Sequence, residues 1–133
     1  MGTRMDTELP MLVLAVILGL VNVIWGAAAA QPQRGLAWNI GPRDEPKPLT
    51  GVAGRLERAL ANFLETFPFF AVAVIACYLK GKFSVTTEIA AIMYVAARAL
   101  YLPLYAFGVP GVRSIAWAFS LVGIVMMIIA FFQ

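Results

Sequence analysis

"GRLERALANFLETFPFFAVAVIACYL", residues 54–79, decides the fold. Its second half is apolar, and the whole stretch is long enough to cross a hydrocarbon core, which takes about 20 helical residues. Its first half nevertheless carries Arg55, Glu57, Arg58, Asn62 and Glu65. A charged side chain at the centre of a spanning helix costs about 2.5–3.5 kcal/mol on insertion scales. So many polar groups at the front of a span must therefore be satisfied by something other than lipid.

The rest of the chain supports the reading as a span. Of its 133 residues, 62% are hydrophobic and 13% charged, whereas a soluble domain has about 45–50% and about 25%. The chain is thus an all-α integral membrane protein. Its net charge of +3 fits the bias of membrane proteins towards cytoplasmic Lys and Arg. No basic run is interleaved with aromatics, so nucleic acid is not an expected partner. The single cysteine, Cys77, excludes an internal disulfide and reads as a packing residue. The absence of histidine removes Ser–His and Cys–His catalysis and His-ligated haem or zinc, and no metal site is expected. Chemistry must run on Arg, Tyr, Ser, Asn and carboxylates, or on a bound cofactor.

Four apolar segments, at about 9–30, 56–79, 85–105 and 112–132, predict an up-down four-helix transmembrane bundle in one domain covering residues 1–133. The first reads as a span and not a cleaved signal: Asp6 and Glu8 make its leader acidic, and its apolar run exceeds the 7–15 residues of a signal core. A polar connection at about 31–54, rich in Pro and Gly, is followed by short turns at 80–84 and 107–111. Arg34, Arg43, Lys47, Arg55 and Arg58 lie at the first connection, with Arg98 and Arg113 flanking the third. The opposite side has Arg4, Lys80 and Lys82. The long loop is therefore expected in the cytoplasm and both termini on the other side.

At 100° per residue, Arg55, Arg58, Asn62 and Glu65 fall within about 80° of one another. Arg98, Tyr101 and Tyr105 form a second stripe about 60° wide, and Arg113 and Ser114 open the last span on the same side. Two readings stand side by side. The arginines anchor helix ends, with Glu65 in an ion pair with Arg98 or Arg58. Alternatively, the cations receive an anionic molecule whose ammonium group meets Glu65. Asn22 suits an interhelical hydrogen bond or a ligand contact, and Glu88 reaches the outer interface; their roles stay open.

Four motifs resemble one family, the membrane-associated proteins in eicosanoid and glutathione metabolism (MAPEG). "ERALANFLETFPFF" (57–70) is similar to its second-helix signature, and "GPRDE" (41–45) to the first loop of bacterial members. "RALYLPLY" (98–105) resembles the end of its third helix, and "RS" (113–114) the pair that opens the fourth. The chain departs from the family at Pro42, Leu60, Ala61 and Tyr101. The resemblance implies a homotrimer in a bacterial inner membrane, with glutathione as cofactor between protomers near the cytoplasmic face. It implies that Arg55, Arg58, Asn62, Glu65, Arg98, Tyr101 and Tyr105 bind glutathione, and that Arg113, with Ser114 and Asp44, serves catalysis. The implied activity is a transferase or peroxidase joining the glutathione thiolate to a lipophilic electrophile that arrives through the bilayer. The alternatives are a non-catalytic glutathione- or lipid-binding trimer, and a proton-coupled transporter using Glu65.

Overall fold

The computed structural model describes residues 6–133 and contains five helices there: α1 (Glu8–Arg34), α2 (Leu36–Ile40), α3 (Gly51–Leu79), α4 (Val85–Ala106) and α5 (Val112–Phe132). Arg4 lies outside the described residues. Helices α1, α3, α4 and α5 are each long and apolar enough to cross a membrane. The described residues contain no strand.

Two boundaries differ from the hydropathy reading, for local reasons. Helix α1 runs on to Arg34, with Pro32 inside its last turn at the loss of one N–H···O bond. It ends at Gly35, whose φ of +82° is left-handed and whose N–H donates to the Gln31 carbonyl at 2.9 Å. Helix α3 starts at Gly51, ahead of the apolar run, because the Gln33 side chain holds the preceding residue. Its Oε1 accepts from Thr50 N at 2.9 Å and its Nε2 donates to Thr50 O at 3.0 Å. The polar connection thus shrinks to 35–50, and it contains α2, too short for periodicity to announce. Trp38 of α2 donates to the Glu45 carbonyl at 2.8 Å, and the Arg34 and Arg43 guanidiniums lie 4.6 and 5.3 Å from its ring centroid.

Helix α1 packs on α3 and α4 but not on α5, so the middle helices form the centre of the bundle. The close approaches depend on small residues, as expected where lipid supplies no hydrophobic drive between helices. A Cβ on Gly123 of α5 would lie 2.8 Å from the Ala90 carbonyl oxygen and 3.2 Å from the Tyr94 amide nitrogen of α4. A Cβ on Gly19 of α1 would lie 2.8 Å from the Phe63 ring.

Polar bonds secure each end. Ser84 caps α4 in a reciprocal box with Thr87. The Thr87 hydroxyl also donates to Glu8, which is only 2% exposed. Thr7 donates to Glu88 at 3.2 Å. Nearer the loop, Asn22 Nδ2 donates to the Leu56 carbonyl at 3.1 Å, the interhelical role open to it from sequence. Cys77 is buried and unpaired, as a packing residue should be.

Two apolar clusters fill the core. One, around Phe70, Val74, Tyr94 and Met127, lies away from the long loop. The other, around Leu56, Tyr101, Leu102 and Ala116, lies beside it. A polar layer between α3 and α4 contains Arg98.

Candidate functional site

Helices α3, α4 and α5 enclose a cleft of about 210 Å³ lined by Asn62, Tyr101, Tyr105, Arg113, Ser114 and Trp117. Helical period explains the convergence. Tyr101 and Tyr105 are one turn apart on α4, and Arg113 and Trp117 one turn apart on α5. Three of the six lining residues belong to the stripes read from sequence, and two more, Arg113 and Ser114, are the pair read there as opening the last span. Trp117 belongs to neither set, because an aromatic near a span end also suits the membrane interface. Its spacing of four from Arg113 was the available signal.

Arg113 places its guanidinium carbon 4.5 Å from the Tyr105 ring centroid, an arrangement that retains the charge while sparing its N–H groups for a ligand. Arg58 Nε donates to the Tyr105 hydroxyl at 3.3 Å. That hydroxyl oxygen is therefore occupied as an acceptor and its own proton is free to point elsewhere. The Tyr101 hydroxyl has no hydrogen-bond partner among the described residues, although the residue is only 5% exposed.

Arg98 lies beneath this cleft. It is 2% exposed, and its Nη1 donates to Asn62 Oδ1 at 2.8 Å. Its guanidinium carbon lies 4.3 Å from the Tyr101 ring centroid and 5.6 Å from that of Phe63. Its Nε is buried without an acceptor, and it forms no ion pair among the described residues. No carboxylate lines the cleft, while three guanidiniums border or underlie it.

The other expected site residues lie elsewhere. Arg55 Nε donates to the Ala106 carbonyl at 2.8 Å, so Arg55 caps the end of α4. Glu65 is exposed on α3 and pairs with neither Arg98 nor Arg58: the Arg34–Glu57 contact at 3.3 Å is the ion pair formed among the described residues. The outward direction of that face of α3 explains it. Asp44 is exposed in the loop and does not line the cleft.

Two further cavities flank the bundle. A polar one of about 320 Å³ lies between α1 and α3 and holds Asn22, Arg34, Arg43 and Glu57. A wholly apolar groove of about 560 Å³ follows α4 and α5 along Ile92, Ala96, Leu100, Val112 and Phe119. On both helices its residues sit roughly 120–155° round the axis from those of the Arg113 cleft, which places it on the back of the hairpin.

No curated protein and no solved structure shows significant similarity to the chain. A family model does match, over residues 11–132, a range that takes in all four spans, the long loop and every residue of the cleft: the chain belongs to the MAPEG family.

Proposed function

We propose that this protein is a membrane-bound glutathione transferase, or a peroxidase of the same kind, that adds the glutathione thiolate to a lipophilic electrophile. The observation that carries this reading is the cleft itself. Its lining combines a guanidinium, two tyrosines, an amide and a hydroxyl with no carboxylate. Such a surface suits an anion rich in acceptors, and glutathione brings two carboxylates and a thiol. Membership of the MAPEG family supports the same ligand.

A free thiol with a pKa of about 8.5 is mostly protonated at neutral pH. A guanidinium beside the sulfur in a partly desolvated cleft favours the anion, with no histidine required. Arg113 has that role, and Ser114 adds a hydroxyl donor next to it. Arg58 and Asn62 hold the carboxylates, and Glu65 receives the ammonium group. The electrophile, being apolar, enters from the bilayer.

A homotrimer completes the site. At about 210 Å³, the cleft is smaller than the roughly 300–1,000 Å³ usual for small-molecule sites. Glu65, exposed on a spanning helix, also needs cover from lipid. A neighbouring copy supplies both the missing wall and the cover. The loop carrying Arg43 and Lys47 faces the cytoplasm, and the site lies at that end.

Calorimetric titration of the detergent-purified protein with glutathione tests the reading. Saturable binding of one glutathione per chain or per interface is expected, with conjugation of a lipophilic acceptor. Binding of cationic drugs in place of glutathione would overturn it. Native mass spectrometry should show three chains; a stable monomer carrying glutathione would refute the shared site.

A further inference from the structure

Arg98 poses a physical problem. It is buried at 2% exposure and, among the described residues, makes one side-chain hydrogen bond, forms no ion pair, and leaves Nε without an acceptor. A buried cation in this state is costly, and apolar replacement of the same shape would serve packing at least as well. Its one hydrogen bond explains what it does.

Arginine can only donate. The Asn62 atom that faces Arg98 at 2.8 Å must therefore be the carbonyl oxygen, Oδ1. This excludes the flipped amide, in which two donors would meet. The Asn62 NH2 group is consequently turned away from Arg98. It has no hydrogen-bond partner among the described residues, and Asn62 lines the cleft. The same guanidinium lies against the Tyr101 ring at 4.3 Å. That contact holds the ring in place, with Tyr101 among the residues lining the cleft. One buried cation thus turns the Asn62 amide donor outward and holds the Tyr101 ring, and Arg98 itself is not among the cleft lining.

We propose that Arg98 is a positioning residue: from beneath the cleft it locks the Asn62 amide with NH2 outward and braces Tyr101, so that this part of the site accepts a carboxylate or carbonyl and rejects a donor. The proposal rests on the glutathione reading for the identity of the ligand, but its geometric claim does not. It also removes Arg98 from the groups expected to touch glutathione directly.

The test uses the purified protein and three variants, each measured by glutathione calorimetry and by thermal unfolding in detergent. Asn62→Asp puts a carboxylate opposite Arg98, which gains a counter-charge, while the cleft loses the NH2 donor. It should unfold above the wild type yet bind glutathione at least about tenfold more weakly, the scale of a lost hydrogen bond to a charged group. Arg98→Lys keeps a donor towards Oδ1 but loses the planar contact with the Tyr101 ring, and should bind between the wild type and Arg98→Met. Arg98→Met keeps the bulk, should stay folded, and should lose about tenfold in affinity without losing any ligand contact. Wild-type affinity in Arg98→Met or in Asn62→Asp would overturn the positioning role. If the wild type takes up no glutathione, the functional reading fails, and unfolding alone decides the geometric claim. The stabilisation by Asn62→Asp must then disappear in the Arg98→Met background; its persistence there, or its absence from the single variant, refutes the assignment.

Discussion

Three glycines provide a graded test of how the bundle is packed. Alanine at Gly26 would place Cβ 3.8 Å from Leu56 Cβ, an ordinary contact. Alanine at Gly19 would place it 2.8 Å from Phe63 Cε1, and at Gly123 2.8 Å from the Ala90 carbonyl oxygen. The two clashes share a distance but differ in what must yield. A phenyl ring can swing by a few tenths of an ångström. The α4 backbone cannot move without shifting a helix, and Tyr94 N, also on α4, would lie at 3.2 Å. Replacing a helical glycine by alanine gains about 1 kcal/mol of propensity, and overpacking costs about 1–3 kcal/mol. Gly26→Ala should therefore be neutral or stabilising by up to about 1 kcal/mol. Gly19→Ala should fall near zero, and Gly123→Ala should lose up to about 2 kcal/mol once the propensity gain is subtracted. The readout is loss of helicity by circular dichroism during denaturation in mixed micelles. Gly123→Ala matching or exceeding Gly26→Ala in stability would refute the claim that α4 and α5 meet backbone to backbone. Because α5 carries Arg113, Ser114 and Trp117, the same variant should also weaken glutathione binding.

Other outcomes follow from the site and the charge pattern. Arg113→Ala should move formation of bound thiolate, followed by ultraviolet absorbance against pH, to higher pH, and should slow conjugation more than it weakens binding; thiolate appearing at the wild-type pH would leave Arg113 a mere anchor. Glu65→Gln should weaken glutathione binding by about 1.5–3 kcal/mol, the worth of a charged hydrogen bond; unchanged calorimetric affinity would free Glu65 of the ammonium role. In a Cys77→Ser background, cysteines at Lys47 and Lys80 should label from opposite faces of the membrane, Lys47 from the cytoplasm; labelling from one face would invalidate the orientation.

The stripes on α3 and α4 were legible in the sequence because helical period alone decides which residues share a face. That reasoning brought Asn62, Tyr101, Tyr105, Arg113 and Ser114 to one cleft, as the structure does. Period says nothing about where a long side chain bends. Arg55, in the same stripe, turns back to the Ala106 carbonyl, and Arg98 folds under Asn62. Glu65 keeps its place in the stripe but at the exposed edge, a distinction set by how α3 packs and not by its own residues. Helix ends were blurred for a different reason. Hydropathy detects lipid contact, whereas the starts and stops of α1 and α3 depend on Gly35 and on the Gln33 amide, which are polar or neutral on any such scale.

The contact between Glu8 and Thr87 joins residues 79 positions apart. A ribosome that has just delivered α1 has not yet made the hydroxyl that satisfies Glu8. Until α4 emerges, that carboxylate belongs in water, so the start of α1 stays at the membrane surface. The end of the bundle away from the long loop closes only after α4 inserts, making α4 the element that completes the register of the first helix. The bond that fixes the start of α1 can therefore form only once α4 has been made.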